Sequence, residues 1–177
     1  MGAKTNKARR LLGLSVLLIV VSAGAAFFYY QQLRTTPPVQ RAAAVENESM
    51  SVFFPTEQGR LERKVVEVQR KLSDRAKADA LFRALKEARC IPDRLRLYEL
   101  AIGQDGVLYL NVSKEFMDRG TPERELTMTY GIVNSFIESF RGARSVQLLV
   151  EGELVHTRSG LLYIFEPLQF NRDILEE

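Results

Sequence analysis

The longest uninterrupted apolar pattern lies near the start of the chain. No charged residue occurs between Arg10 and Arg34, and the apolar run covers about 20 residues, from Leu11 to Tyr30. A helix of that length spans roughly 30 Å, the thickness of the hydrocarbon core of a bilayer. Residues 11–30 are therefore predicted to form a single transmembrane anchor.

The residues that flank this run predict its orientation. Arg9 and Arg10 belong to a basic stub, residues 1–10, which the positive-inside rule places in the cytoplasm. Tyr29 and Tyr30 end the run, where aromatic rings settle at a membrane interface. Everything after Tyr30 is then expected to be extracytoplasmic (periplasmic).

A cleaved signal peptide is the alternative interpretation of the same segment, because Ala23-Gly24-Ala25 resembles an A-x-A cleavage site. Aromatic residues follow at once and lengthen the apolar stretch, which favours a retained anchor. Both interpretations export the rest of the chain. Residues 31–49 contain two adjacent prolines and lack apolar periodicity, so they are predicted to form a tether.

Alternating and helical patterns follow one another through residues 50–170, which we predict to be one domain with a C-terminal tail at 171–177. Residues 51–55 and 60–70 predict two strands. Ser73 is a helix N-cap, and apolar residues at i, i+4 spacing continue that helix to about residue 89.

The clearest β-hairpin surrounds the turn at Asp105-Gly106, and we interpret Asp105 as turn chemistry alone. Alternation places Leu95, Leu97, Glu99 and Ala101 on one side of its first strand.

Thr121-Pro122 opens a second helix, with a threonine cap and a proline at the first helical position. Strands are predicted at 145–152 and 161–167. The order ββ-α-ββ-α-β-β predicts an α+β fold, a two-layer sandwich in which one mixed sheet carries both helices on one face. The core stripe of the second helix is predicted to comprise Leu126, Val133, Phe136, Ile137 and Phe140.

Charge is distributed unevenly along the chain. Of the 25 basic and 22 acidic residues, six basic and two acidic ones precede residue 50, which leaves 19 and 20 in the exported part. The basic excess therefore belongs to the membrane-flanking segment. A nucleic-acid partner is not expected, because the domain offers no basic excess for a phosphate backbone.

Few residues offer catalytic or metal-binding chemistry. Cys90 is the only cysteine and His156 the only histidine, so neither a zinc site nor an internal disulfide is expected. We interpret Cys90 as a buried apolar residue. Glu151 and Glu153 would project to the same side of a continuing strand, and as paired carboxylates they form the one candidate acid–base pair. A solvated strand end is the favoured interpretation, and no catalytic residue, metal or cofactor is assigned.

Aromatic residues are frequent on the predicted strands, and those on an uncovered face or edge would form a protein interface. The candidate interaction surface comprises Phe54, Arg94, Arg96 and Tyr98. Arg94, Arg96 and Tyr98 could also contact an anionic polymer of the cell wall.

The order of motifs resembles the GerMN domain family, which is named for a sporulation and spore germination protein. The resemblance covers about residues 50–170, and its most specific pieces are GVLYLNVSKEF, at 106–116, and VNSF followed by VQLLVEGE. The chain departs from the family pattern at CIPDRLRL, after the first helix, and at RSGLLYIFEPL, where the histidine is displaced to His156.

The resemblance implies a small domain similar to the ring-building domains of envelope assemblies. It also implies a membrane-anchored or lipid-anchored protein linked to sporulation, germination or the assembly of trans-envelope channels. No catalytic residue is carried over from the family.

Three hypotheses follow. The first is a non-enzymatic, membrane-anchored envelope protein that acts through contact with a partner protein or with itself. The second is a peptidoglycan-binding module, or a regulator of a cell-wall hydrolase. The third is a hydrolase that uses Glu151 and Glu153.

Overall fold

The computed structural model describes residues 47–69, 72–158 and 160–176. These residues form an α+β domain with two α-helices, six strands and one 3-10 turn, Lys114–Met117. In chain order the strands and helices are β1 (Asn47–Pro55), β2 (Leu61–Gln69), α1 (Asp74–Glu87), β3 (Leu97–Ile102), β4 (Val107–Val112), α2 (Pro122–Ser139), β5 (Ser145–Val150) and β6 (Leu168–Gln169).

The strands form two sheets, so the prediction of one mixed sheet is wrong. β1 and β2 form an antiparallel pair, and the other four strands form a sheet in the order β3-β4-β5-β6. The larger sheet is mixed, because β4 and β5 run parallel while its other two pairs are antiparallel.

Helix α2 explains why the first sheet stops at two strands. The backbone N–H of Phe53 donates to Ser135 Oγ at 2.8 Å, and that of Ser51 donates to Ser139 Oγ at 3.2 Å. Hydroxyl groups spaced four residues apart on one face of α2 thus take the place of a third strand along β1. Gly131, one turn earlier, leaves room for this close approach, because a Cβ atom there would lie 3.1 Å from the Phe53 carbonyl oxygen.

Both helices contribute to one main hydrophobic core with the larger sheet. Phe136 lies at its centre, stacked on Phe140 at 5.4 Å and edge-on to Phe82 at 5.9 Å. Val133 is also buried, as predicted for this stripe, and Ile137 is partly buried. The prediction for Leu126 is wrong, because its side chain is 38% exposed near the start of α2.

Both predicted helix starts are confirmed. Ser73 Oγ accepts from the N–H of Ala76, and Thr121 Oγ1 accepts from the N–H of Arg124. Each hydroxyl satisfies one of the N–H groups that the first turn leaves without a helical partner.

The end of the chain differs from the prediction. Residues 161–167 do not form a regular strand, and β6 follows Pro167 with two residues only. The segment 171–176, predicted as a tail, packs on the domain. Asn171 exchanges two hydrogen bonds with the side chain of Asn134, and Leu61 of β2 donates to the carbonyl of the buried Ile174 at 2.8 Å.

Cys90 is fully buried, as the sequence predicts, and burial raises the pKa of its thiol to about 12. We expect folded protein to resist iodoacetamide at pH 8, whereas urea-unfolded protein should react fully. Because the folded pKa lies above the value of 9.0 for an unfolded thiol, the thiol's contribution to stability is complete below pH 9 and is lost as pH rises toward 12. Rapid alkylation under native conditions, measured by mass spectrometry, would contradict this burial.

Candidate interaction surface

A β-bulge shapes the first strand of the predicted hairpin. Leu97 pairs with Val112 and Glu99 pairs with Asn111, so Tyr98 is an extra residue without a partner on β4. Arg75 of α1 holds the bulge by donating to the carbonyls of Leu97, at 2.8 Å, and Tyr98, at 2.5 Å. The bulge shifts the alternation by one residue. The prediction that Leu97 and Glu99 share a side is therefore wrong, since Leu97 is buried and Glu99 is exposed.

The Tyr98 side chain is 41% exposed. It reaches past β4 to the residue that follows β5, at the same end of the sheet. Its hydroxyl donates to Glu151 Oε1 at 3.4 Å, and the same oxygen accepts the backbone N–H of Lys114 at 2.8 Å. Desolvation, and then the negative Glu151 carboxylate, raises the pKa of the Tyr98 phenol. Glu151 thus ties the bulge of β3 to the start of the 3-10 turn.

The segment VEGE, residues 150–153, forms a tight turn. Glu151 and Gly152 both have positive φ, 53° and 85°, and Val150 bridges to Glu153. The predicted strand therefore ends at Val150, and Glu151 and Glu153 do not project from a continuing strand. Gly152 donates its N–H to Asn111 Oδ1 at 2.7 Å, which fixes the turn against β4. The Glu151 carboxylate acts here as a cap.

Removing this cap should have a measurable cost. We expect Glu151→Ala to lower the free energy of unfolding by about 1 kcal/mol, because the N–H of Lys114 loses its acceptor. Glu151→Gln keeps an acceptor oxygen at the same length and should lose less. Urea denaturation of both variants measures the difference, and equal stability of the two would contradict the capping role.

Three of the four candidate surface residues lie in one segment of the chain, residues 94–98. Arg94 forms an exposed ion pair with Asp118 at 2.5 Å, and Arg96 and Tyr98 expose their side chains from the same segment. Phe54 is not among them. It is partly buried and lines a groove with Ala84 at the other end of α1 from Arg75. Arg75 and Ala84 are nine positions apart along the helix, which corresponds to roughly 14 Å.

The family model described as "Germane: Sporulation and spore germination" matches residues 51–156, more than half of the chain. The chain belongs to the Germane family. The family description names sporulation and spore germination and no catalytic activity. A comparison with curated proteins gives no match.

Solved structures share this Germane fold. The first GerMN domain of the sporulation protein GerM from Bacillus subtilis has a TM-score of 0.56 and 14% identity, and the match covers 71% of this chain and 98% of that one. The tandem GerMN domains of the same protein have a TM-score of 0.56 and 14% identity, and the match covers 70% of this chain and 46% of that one. This chain therefore spans about half of the tandem structure, which corresponds to one GerMN domain. A candidate lipoprotein from Clostridium perfringens is 20% identical, with a TM-score of 0.49. That match covers 71% of this chain and 89% of the other.

The predicted membrane-interface residues, Arg9, Arg10, Tyr29 and Tyr30, lie outside the residues that the structure describes. Within the described Germane domain, no helix is both long and apolar enough to cross a bilayer.

The sequence does not predict one exposed aromatic cluster of the Germane domain. His156, Tyr163 and Phe165 contact one another in the loop after β5. Alternation in LLYIFE is the available signal, but it predicts a strand of the sheet.

Proposed function

We propose that this Germane protein is a membrane-anchored, extracytoplasmic envelope protein that acts by binding a protein partner or a second copy of itself. It catalyses no reaction in this proposal. The predicted anchor at 11–30 holds it at the membrane, and its family links it to sporulation or germination. Assembly of an envelope complex is the role that we favour.

One observation carries the proposal: the exposed Tyr98 surface is built from polar groups that already satisfy one another. The Glu151 carboxylate accepts from Lys114 and Tyr98, and Arg94 pairs with Asp118. Groups held in this way present a fixed shape to a partner. Tyrosine and arginine are also the residues that most often anchor protein interfaces.

The connection between tether and domain supports the same proposal. Lys77 of α1 bonds to Glu48 near the start of β1 at 2.6 Å, and the ammonium group lies 5.4 Å from the ring centre of Phe140. The first strand is thus secured to the core where the predicted tether enters. In this proposal, the contact keeps the start of the domain folded where the tether joins it.

The ring-building-like sandwich that the resemblance implies belongs to this proposal. Both helices share one core with the larger sheet, which supports a two-layer arrangement around that sheet. Such a domain can associate through a sheet edge, and β3 is an edge strand that displays Tyr98.

Peptidoglycan binding through Arg94, Arg96 and Tyr98, or regulation of a wall hydrolase, remains the second candidate. This alternative needs positive charge for an anionic polymer, but the charge of Arg94 is already matched by Asp118 at 2.5 Å. Salt-sensitive cosedimentation with purified cell wall would support that alternative.

Crosslinking of the full-length protein in native membranes tests the main proposal. We expect a crosslinked species heavier than the monomer, and we expect Tyr98→Asp to abolish it. Tyr109→Asp is the matched control, because Tyr109 is similarly exposed, 37% against 41%, on the neighbouring strand. Recovery of monomer alone from wild-type membranes, or of the protein in the soluble fraction, would contradict the proposal.

A further inference from the structure

The loop after β5 presents an exposed apolar ridge. Along residues 161–165, Leu161 and Tyr163 are 63% and 51% exposed, whereas Ile164 between Tyr163 and Phe165 is fully buried. The segment thus alternates as an extended strand would, but its one bridge among the described residues joins Thr157 to Tyr163. Its outward side is apolar. An outward apolar side on a loop that joins two strands indicates a binding surface, since loops carry function when a rigid scaffold positions them.

Contacts on the inner side fix this loop. Ile164 donates its N–H to the carbonyl of His156 at 2.9 Å, and its own carbonyl accepts from Gln147 Nε2 of β5 at 3.2 Å. The buried side chain of Arg158 donates to the carbonyls of Phe116 and Asp118. The backbone that carries the outward side chains is therefore held by hydrogen bonds before a ligand binds. Binding then does not require the entropic cost of ordering this part of the loop.

Three rings form what we call the aromatic platform: His156, Tyr163 and Phe165. His156 and Phe165 are stacked almost parallel, with centroids 4.4 Å apart and planes at 8°. The Tyr163 ring lies 6.4 Å from His156 and 6.2 Å from Phe165, tilted by 38° and 45°. The platform therefore offers ring faces in two orientations within one small area.

Charge limits the ligand class. The charged residues within three positions of the platform rings along the chain are Glu153, Arg158 and Glu166. Both glutamates are exposed, whereas the Arg158 guanidinium is turned inward onto backbone carbonyls. Phosphate-rich polymers and anionic lipid surfaces attract basic patches. An uncharged ligand with many hydrogen-bond donors suits these carboxylates better.

The exposed area of the platform favours a sugar over a protein as the ligand. Three partly exposed rings offer on the order of 300 Å², whereas a standard protein interface buries about 800 Å² on each partner. The platform is large enough for one or two sugar units. The weakly positive C–H bonds on one face of a pyranose are attracted to the negative face of an aromatic ring.

We propose that the aromatic platform binds an uncharged polysaccharide of N-acetylated hexosamines, the chemistry of cell-wall glycan strands. The rings stack on the sugar faces, and Glu153 and Glu166 accept from hydroxyl and amide groups. The inference rests on the extracytoplasmic location in the proposed function, but it concerns a different surface from Tyr98.

His156 makes the test direct, because it is the only histidine and gives a single set of imidazole resonances. Full-length protein labelled with 13C-histidine, in a detergent without a sugar headgroup, is titrated with the tetramer of N-acetylglucosamine. We expect a saturable shift of the His156 ring resonances and saturation transfer from protein to sugar.

Variants locate the contact. Tyr163→Ala should weaken binding about tenfold or more, the effect of losing one stacked ring. Tyr163→Phe keeps the ring face and should bind within about threefold of wild type. Tyr109→Ala, an exposed tyrosine on β4, should change nothing.

Two results would overturn the inference: no His156 shift at saturating tetramer in folded protein, or equal binding by wild type and Tyr163→Ala. If the sugar has no effect while Tyr163→Ala abolishes the crosslinked species, the loop is a protein contact and the sugar inference is wrong. If the sugar titration fails while crosslinking still depends on Tyr98, the proposed function stands without it.

Discussion

Gly131→Ala is expected to lower the free energy of unfolding by about 2–3 kcal/mol, as overpacking does in a close-packed core. A Cβ atom at this position would lie 2.3 Å from Cys90 Sγ and 3.1 Å from the Phe53 carbonyl oxygen. The sulfur is buried and the carbonyl belongs to β1, so neither has space to move. Urea denaturation of the full-length protein, followed by circular dichroism, measures the change.

The two contacts can be separated by a double-mutant cycle. Cys90→Ala removes the sulfur, so the double variant should recover part of the loss and show favourable coupling. Gly120→Ala is the control, because its nearest contact would be an ordinary 3.4 Å to Arg124 Cγ. That control should be neutral or slightly stabilising. A Gly131→Ala variant as stable as wild type would mean that β1 and α2 do not approach each other as closely as described.

Arg158→Met is expected to destabilise the domain by about 2–3 kcal/mol and to release the loop that carries the aromatic platform. The side chain is buried, with 8% exposed, and it donates to the carbonyls of Phe116 and Asp118. Burial lowers the pKa of this guanidinium, while the negative charge of Glu125 opposes that effect. Methionine keeps the apolar stem of the side chain. The loss of stability therefore measures the effect of leaving the two carbonyls without their Arg158 donor.

Limited proteolysis supplies a second readout, because a released loop should be cut faster than the rest of the domain. Arg94→Met is the matched control. Arg94 contacts the carboxylate of the same Asp118, but the pair is exposed, with 68% and 42% of the side chains accessible. Exposed pairs contribute about 0–1 kcal/mol. If both variants lose the same stability, the buried carbonyl contacts do not explain the role of Arg158.

Local signals in the sequence predicted the helices and the central hairpin well. Ser73 and Thr121 cap their helices as expected, and Asp105 accepts from the N–H of Val107 at 3.1 Å within the turn. These interactions join residues two or three positions apart, so the chain encodes them without reference to distant contacts.

Long-range contacts account for the predictions that failed. Alternation in residues 161–167 is real, but a strand needs a partner, and none of the described residues pairs with that segment beyond the bridge from Thr157 to Tyr163. The bulge at Tyr98 depends on Arg75, which lies 23 residues earlier. No local pattern specifies that contact.

The apolar run at 11–30, the capped helices, the family and the near-neutral charge of residues 50–177 follow from the sequence without the fold. Each of these depends on composition or on neighbours within a few residues. Long-range contacts in the folded domain set β1 against serine hydroxyls instead of a third strand, make Glu151 the cap of a distant turn, and stack His156 on Phe165. Those contacts require two remote segments to be brought to hydrogen-bond or van der Waals distance, and packing of the whole core sets that distance.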